Sequence, residues 1–320
     1  MLATDHFLPR CLHVVAELGV ADHIEDRQVS VEFLARESGC AAPALARMLR
    51  LLETVGVFQW VGDGWAHTEV SRLLRSDHPQ SMRAFARMIG GAIQWAAAGE
   101  LKSAAETGRS AMSTVMPDGI WQYFKDHPED ARVFDAAMTS KSAAEIAALI
   151  PAFDFTGYPR IADIGGGRGH VLASVLAAAP SSGGILFDLP HVVTAAVPSP
   201  RMVVQGGDFF RDELPQADAY IVSQVLHDWA DEEAAAILRK VRRAAPAGSH
   251  LLVIEQVLPV GPEPHPAKVL DIVMLALTGG RERTRDEYAS LFEAGGFRLE
   301  RVIPTTGAIS VLLGVPGSLV

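Results

Sequence analysis

Ile161-Ala162-Asp163-Ile164-Gly165-Gly166-Gly167-Arg168-Gly169-His170 is the stretch on which the reading of this chain turns. It reads as an apolar strand, a glycine-packed turn, and the start of a helix that continues through Val171, Leu172, Val175 and Leu176. Glycine reaches backbone angles closed to other residues, and without a Cβ it lets a ligand lie against the main chain. The helix start that follows offers free N–H groups and a partial positive charge, a place for an anionic or carboxylate-bearing ligand.

Downstream, strands and helices alternate. Strands are expected at Ile161–Ile164, Gly184–Asp188, Met202–Val204, Ala219–Gln224 and Ser249–Glu255, with two more near Phe297–Ile303 and Ile309–Leu313. Amphipathic helices are expected at Asp231–Ala244 and Glu287–Ala294. Alternation of this kind implies an α/β, Rossmann-like domain with a mainly parallel seven-stranded sheet and helices on both faces.

Ligands of such sheets lie at the carboxyl ends of the strands. Asp163 and Asp188 fall at or close to such ends, and Asp208 follows the third strand with Phe209 beside it. Asp188 comes about twenty residues after the last glycine, a spacing that suits a carboxylate gripping ribose hydroxyls. A dinucleotide enzyme would carry an acid there too. Asp208 with Phe209 suits an adenine, the carboxylate receiving an exocyclic amine. The G-G-G-x-G spacing departs from the G-x-G-x-x-G of dinucleotide folds, which disfavours an NAD-linked oxidoreductase. Each acid alone reads equally well as a cap or turn former; the ordered set after successive strands does not.

His227 lies just beyond the fourth strand, on the ligand side. Histidine titrates near neutrality and can take a proton from a hydroxyl. A lone histidine is more often structural, but two carboxylates, Glu255 and Glu282, are candidates to stand beside this one. Such a partner fixes the imidazole tautomer and stabilises the imidazolium. No carboxylates and histidines cluster at ligand spacing in the sequence, so no metal is expected.

The first 75 residues are expected to run helix, turn, helix, hairpin. Leu8, Leu12, Val15 and Leu18 recur at helical spacing and Gly19 stops that helix. Ser30 is a candidate N-cap, a second helix is expected over Ala44–Val55, and Val57–Val61 with Trp65–His67 reads as a hairpin wing. The winged-helix outline raises DNA binding through Arg47 and Arg50. A net charge of −10 disfavours a polyanionic partner, leaving a packing or dimerisation module. The following region, to about residue 150, is helical and rich in Ala, Met and aromatics. Trp95, Phe134 and Met138 are candidates for the wall of a flat, apolar substrate pocket, with Asp228 and Met274 as further candidates.

Composition is that of a soluble globular protein, 49% hydrophobic and 21% charged over 320 residues. No apolar run is long enough to span a bilayer, and the start lacks a signal-peptide layout. Two cysteines, Cys11 and Cys40, make no disulfide framework, so a reducing cytoplasm is expected.

Taken together, Asp163–Gly169, Phe187-Asp188-Leu189-Pro190, Gly207-Asp208-Phe209-Phe210, Leu226-His227-Asp228-Trp229 and Gly280-Arg281-Glu282-Arg283-Thr284 resemble the caffeate/hydroxyindole-type O-methyltransferases, a class I S-adenosylmethionine (SAM)-dependent family with bacterial natural-product members. The resemblance spans nearly the whole chain. It implies a homodimer, with residues 1–75 as a winged-helix-like dimerisation region, 76–150 as a helical linker and substrate-pocket region, and 151–320 as the SAM-binding catalytic domain. It implies cofactor contacts at Gly165, Asp188, Asp208, Phe209 and Ser223, and Asp163, Gly167 and Gln224 are further cofactor-binding candidates. It further implies catalysis by His227 as general base flanked by Glu255 and Glu282, with methyl transfer to an aromatic hydroxyl. There are two departures. Leading residues found in many relatives are absent, and Ser223 or Gln224 stands where plant relatives often have lysine. A nitrogen or carbon acceptor, SAM chemistry other than methylation, and a SAM-binding relative without catalysis are the alternatives. The presence of both His227 and Glu255 disfavours the last.

Overall fold

The computed structural model describes residues 2–117 and 120–317. The chain forms two compact units. The first comprises residues 1–99 and 115–141, the second residues 100–114 and 142–320.

The first unit opens with the helices Phe7–Glu17, Val31–Glu37 and Ala42–Glu53 and the antiparallel hairpin of β1 (Phe58–Val61) and β2 (Gly64–His67). Ser30 caps its helix, its hydroxyl accepting the N–H of Phe33 at 3.2 Å. Gly19 and Gly56 both adopt positive φ, which is why helical spacing breaks at these points. The helix expected over Ala44–Val55 begins two residues earlier, because Pro43 is tolerated in a first helical turn where its missing N–H is not needed. Val15, Leu34, Leu45, Leu49, Phe58 and Trp65 fill the core of this unit, while Arg47 and Arg50 are exposed. The helices Arg83–Ile89, Ala92–Gly99 and Ile120–Asp126, and the first part of Pro128–Leu149, also belong to it.

The second unit is built on a seven-stranded sheet. Its strands are β3 (Arg160–Ile164), β4 (Gly183–Asp188), β5 (Met202–Gly206), β6 (Ala219–Ser223), β7 (His250–Gln256), β8 (Phe297–Pro304) and β9 (Ile309–Pro316). Their order is β5-β4-β3-β6-β7-β9-β8, parallel throughout except for β9, which is antiparallel to both its neighbours. The expected α/β architecture and strand number are therefore met. The central strands read as continuous apolar runs because both sheet faces are covered. Ile161, Ala219, Ile221, Leu252 and Ile254 pack on one side with Leu172, Val175 and Leu176 of the helix His170–Ala178. The alternate residues Ala162, Ile164, Tyr220, Val222, Leu251 and Val253 pack on the other, with Ile237, Leu238 and Val241 of Asp231–Ala244 and Tyr288 and Phe292 of Arg285–Ala294. Each such fully buried aliphatic contributes about 1.5–3 kcal/mol.

The fourth sheet strand ends one residue sooner than expected. Gln224 takes φ 52°, the one non-glycine residue with positive φ among those described. Its N–H still bonds the carbonyl of Ile254 at 3.0 Å, but the left-handed conformation swings the chain out of the strand into the turn that carries His227. A non-glycine residue held so costs on the order of 1–3 kcal/mol and is found where a site demands it.

Candidate active site

The glycine turn after β3 is shaped by three left-handed glycines, Gly165, Gly167 and Gly169. A Cβ on Gly166 would stand 2.5 Å from the carboxyl carbon of Asp163 and 2.6 Å from Leu186, so that position tolerates no side chain. Nothing lies within 4 Å of where a Cβ on Gly167 would be, so the turn is open on that side. Asp188 ends β4 beside it. One of its carboxylate oxygens accepts the N–H of Gly167 at 2.7 Å and the other that of Leu189 at 2.6 Å. Burial raises the Asp188 carboxyl above its ordinary value, and the two N–H bonds oppose that rise.

Phe209 reaches the same place, its ring 3.5 Å from where a Cβ on Gly165 would stand, and it packs edge-on to Phe210 and Trp229. Asp208 is held in its loop by the N–H of Phe210, 2.8 Å from its side chain. Ser223 and Gln224 lead into Val225, whose side chain would come within 2.8 Å of a Cβ on Gly165. Asp188, Phe209 and Val225, the last just past the Ser223–Gln224 corner, thus surround the Gly165–Gly167 turn. The turn offers open main chain at Gly167, a carboxylate at the next strand end, and an aromatic ring beside it.

Asp163 stands differently. Its carboxylate is fully buried beneath the turn, against Gly166, and offers no surface to a ligand. Burial first, then the charge of Asp188, push its carboxyl up to about 7. It supports the turn from below.

His227 sits in a short 3-10 turn, Leu226–Asp228, just past β6. Its Nδ1 lies 2.7 Å from Oε1 of Glu282, and Glu255 Oε2 is 3.5 Å from the same nitrogen. Histidine and both acids are buried, His227 at 4% exposure and the two glutamates at 0%. The ligand atoms of this trio gather within 4.8 Å, so a histidine and two carboxylates that are not at ligand spacing in the sequence do cluster in the fold. The three are far apart in the chain and meet only because β6, β7 and the segment at Arg283, which bridges to Val257, lie side by side. The 2.7 Å separation is that of a charge-assisted hydrogen bond, with the proton on Nδ1 and Nε2 left as the acceptor. Glu255 does something more. Its Oε1 accepts the N–H groups of Val225 and Leu226 at 3.1 and 2.9 Å, and lies 3.4 Å from that of His227.

Of the expected substrate residues, Asp228 and Met274 lie in the same unit as His227. Asp228 is 3.8 Å from Nε2 of the imidazole and partly exposed. Met274 is buried on the helix Pro266–Leu277, where the N–H of Gly279 bonds its carbonyl. Trp95, Phe134 and Met138 lie in the first unit. Trp95 meets His13 edge-on at 5.8 Å and carries the Arg10 guanidinium at 5.3 Å, Phe134 packs on Phe124, and Met138 is half-buried. A cavity of about 620 Å³ in that unit, bounded by Arg10, His13, Glu17 and Arg87, contains none of the expected catalytic or cofactor residues.

Residues 99–298 match the O-methyltransferase domain and residues 1–77 the O-methyltransferase dimerisation domain, which supports a homodimer. The chain is 39% identical to the phenazine O-methyltransferase PhzM of Lysobacter antibioticus, over 98% of this chain and 94% of that one. It is 34% identical to the 8-amino-8-demethylriboflavin N,N-dimethyltransferase of Streptomyces davaonensis, over 94% and 90%. The fold superposes with a TM-score of 0.91 on CalO1, a methyltransferase in calicheamicin biosynthesis solved in its SAH-bound form, at 36% identity and covering 98% of this chain and 96% of that one.

Proposed function

This chain belongs to the O-methyltransferase family and is a SAM-dependent enzyme that uses no metal, and from that premise we propose that His227 is its general base and a flat aromatic hydroxyl its acceptor. The observation that carries the reading is the buried Glu282 carboxylate, 2.7 Å from Nδ1 of His227, two residues past the Val225 side chain that packs at Gly165 of the glycine turn. Bound SAM supplies an electrophilic methyl on a sulfonium. Gly165, Gly167, Asp188, Asp208, Phe209, Ser223 and Gln224 are the residues assigned to hold it, and Asp163 braces the turn under them. His227 takes the acceptor's proton on Nε2, and Glu282 keeps the proton on Nδ1 and stabilises the imidazolium that forms. With the methyl supplied by the cofactor, the chain's own residues would mainly have to orient the acceptor and remove its proton in time.

Trp95, Phe134, Met138, Asp228 and Met274 are assigned to the acceptor's surroundings. In this reading residues 1–75 serve dimerisation, 76–150 the acceptor wall, and 151–320 the cofactor and chemistry. The phenazine relative supports a flat aromatic acceptor. The riboflavin-derivative relative, an N,N-dimethyltransferase, supports a second reading in which an aromatic amine is methylated. We place the enzyme in the cytoplasm, in natural-product biosynthesis. Among the described residues no helix is long and apolar enough to cross a membrane.

The test is His227→Ala, assayed with labelled SAM against hydroxyphenazines and aminoflavins and read by mass spectrometry. Turnover falls by about a hundredfold or more while SAM affinity is retained. Wild-type turnover in that variant would refute the base assignment.

A further inference from the structure

The segment that supplies Glu282 holds the catalytic turn at four consecutive residues. Gly280 runs so close that a Cβ there would stand 2.0 Å from the carbonyl oxygen of His227. The N–H of Arg281 donates to that same carbonyl at 2.9 Å. Glu282 then takes the imidazole ring. Arg283, next in line, is 0% exposed, and its guanidinium is engaged with backbone carbonyls on both sides of the histidine and with the Asp231 carboxylate. Nη1 donates to the carbonyl of Leu226 at 2.9 Å and to that of Arg281 at 3.3 Å. Nη2 donates to the carbonyl of Trp229 at 2.9 Å, and Nε to the carboxylate of Asp231 at 2.9 Å. The fork therefore grips the chain on both sides of His227 and Asp228. On the donor side of the same turn, Glu255 receives successive N–H groups from Val225 onward.

We propose that Arg283 is a positioning residue for the proton transfer. It holds the main chain of the Leu226–Trp229 turn so that Nε2 of His227 meets the acceptor, while Glu282 fixes the ring. The proposal rests on His227 being the base. Arginine suits the task because a planar fork of fixed donors reaches the Leu226 and Trp229 carbonyls and the Asp231 carboxylate at once. A lysine ammonium at the end of a flexible stem cannot span them. The reaction is sensitive to such placement, since an error of about 1 Å in a reacting group lowers a rate by about a hundredfold. The guanidinium of Arg283 bonds Leu226, Arg281, Trp229 and Asp231 and not the glycine turn, so its loss acts on the chemical step and leaves cofactor binding in place.

The test compares wild type, Arg283→Lys, Arg283→Met and Asp231→Asn. The last keeps the buried arginine and an oxygen for its Nε–H but removes the charge of its anchor on the solvent side, so it folds where Arg283→Met fails to. Labelled-histidine NMR of the SAM-bound protein reads the His227 Nδ1–H signal, identified by its absence in His227→Ala. Calorimetry reads SAM affinity, and turnover is followed with 1-hydroxyphenazine. Arg283→Lys is expected to keep SAM affinity within about threefold, to broaden or lose the Nδ1–H signal, and to lower kcat by about 10- to 100-fold. Asp231→Asn shows the same signature with a smaller fall. An unchanged His227 signal in a folded Arg283→Lys variant overturns the proposal, as does a fall in thermal stability alone with kcat intact. If His227→Ala proves fully active, the base assignment fails by itself, and the NMR signal still decides whether Arg283 positions the ring.

Discussion

Replacing Glu282 by glutamine removes one charge and almost no volume, and its effect can be worked from the geometry. In the native pair Nδ1 and Oε1 are 2.7 Å apart, with the carboxylate fully buried. A hydrogen bond to a charged group contributes about 1.5–3 kcal/mol against about 1 for a neutral one. As the imidazole becomes imidazolium, a carboxylate at roughly 4 Å between charge centres adds up to about 4 kcal/mol at an effective dielectric near 20. Glu255 remains in the variant, its Oε2 3.5 Å from the same nitrogen, and supplies part of that attraction. The net loss is therefore roughly 2–4 kcal/mol of transition-state stabilisation, a fall in kcat of about 30- to 1000-fold. Glutamine could also present its amide N–H₂ to Nδ1. The ring proton would then move to Nε2, the atom proposed to accept, and the fall would lie at the upper end. The assay is single-turnover methyl transfer from labelled SAM to 1-hydroxyphenazine at saturating cofactor, with SAM affinity and melting temperature measured alongside. SAM affinity should not change, because Glu282 meets the histidine and not the glycine turn. A folded Glu282→Gln enzyme with kcat within about threefold of wild type would show that the carboxylate's charge is not used, and the reasoning would fall.

Two further outcomes follow from the glycine turn. Gly166→Ala forces a methyl to within 2.5 Å of the Asp163 carboxyl carbon and 2.6 Å of Leu186, so the turn must shift. SAM binding by calorimetry should weaken at least tenfold, on the order of 1.4 kcal/mol, and an unchanged affinity would show that this turn is not the cradle. Asp163→Asn should change the pH dependence of stability in the SAM-free protein. The buried carboxyl titrates at about 7 against an ordinary 3.8, so between these pH values the folded chain binds a proton that the unfolded chain has released. Its contribution to stability is present below the lower value and is lost as pH rises to the upper one, by up to about 4 kcal/mol. Melting temperature measured from pH 4 to 8 should therefore show the variant gaining on wild type up to pH 7 and holding level above it. Parallel curves across that window would show that Asp163 ionises normally.

How far the chain was legible from its residues depends on the range of the interactions. The Ile161–His170 stretch declared its strand, turn and helix because glycine's freedom at Gly165, Gly167 and Gly169 and the apolar run before them are local properties. The strand series was legible for the same reason, since burial on both sheet faces leaves continuous apolar runs such as Ala219–Val222. Asp188 and Asp208 could be placed because strand ends in a parallel sheet share one edge. Boundaries slipped where a cap or a strained residue decided them, as at Pro43 and Gln224. Arg283 went unassigned because a buried arginine in a charged segment reads as surface until the carbonyls it holds are known.

From the sequence alone came the layered fold, the glycine turn and the expectation that Glu255 and Glu282 stand beside His227. Tertiary structure alone decided which acid does what. Glu282 takes the imidazole while Glu255 takes the main chain beneath it, a division set by register between strands far apart in sequence. It decided too that Asp163 lies under the turn rather than facing a ligand. The physical reason is that conformational preference and hydrophobic periodicity act between near neighbours in the chain. Hydrogen-bond partners and burial belong to residues that meet only once the sheet has closed.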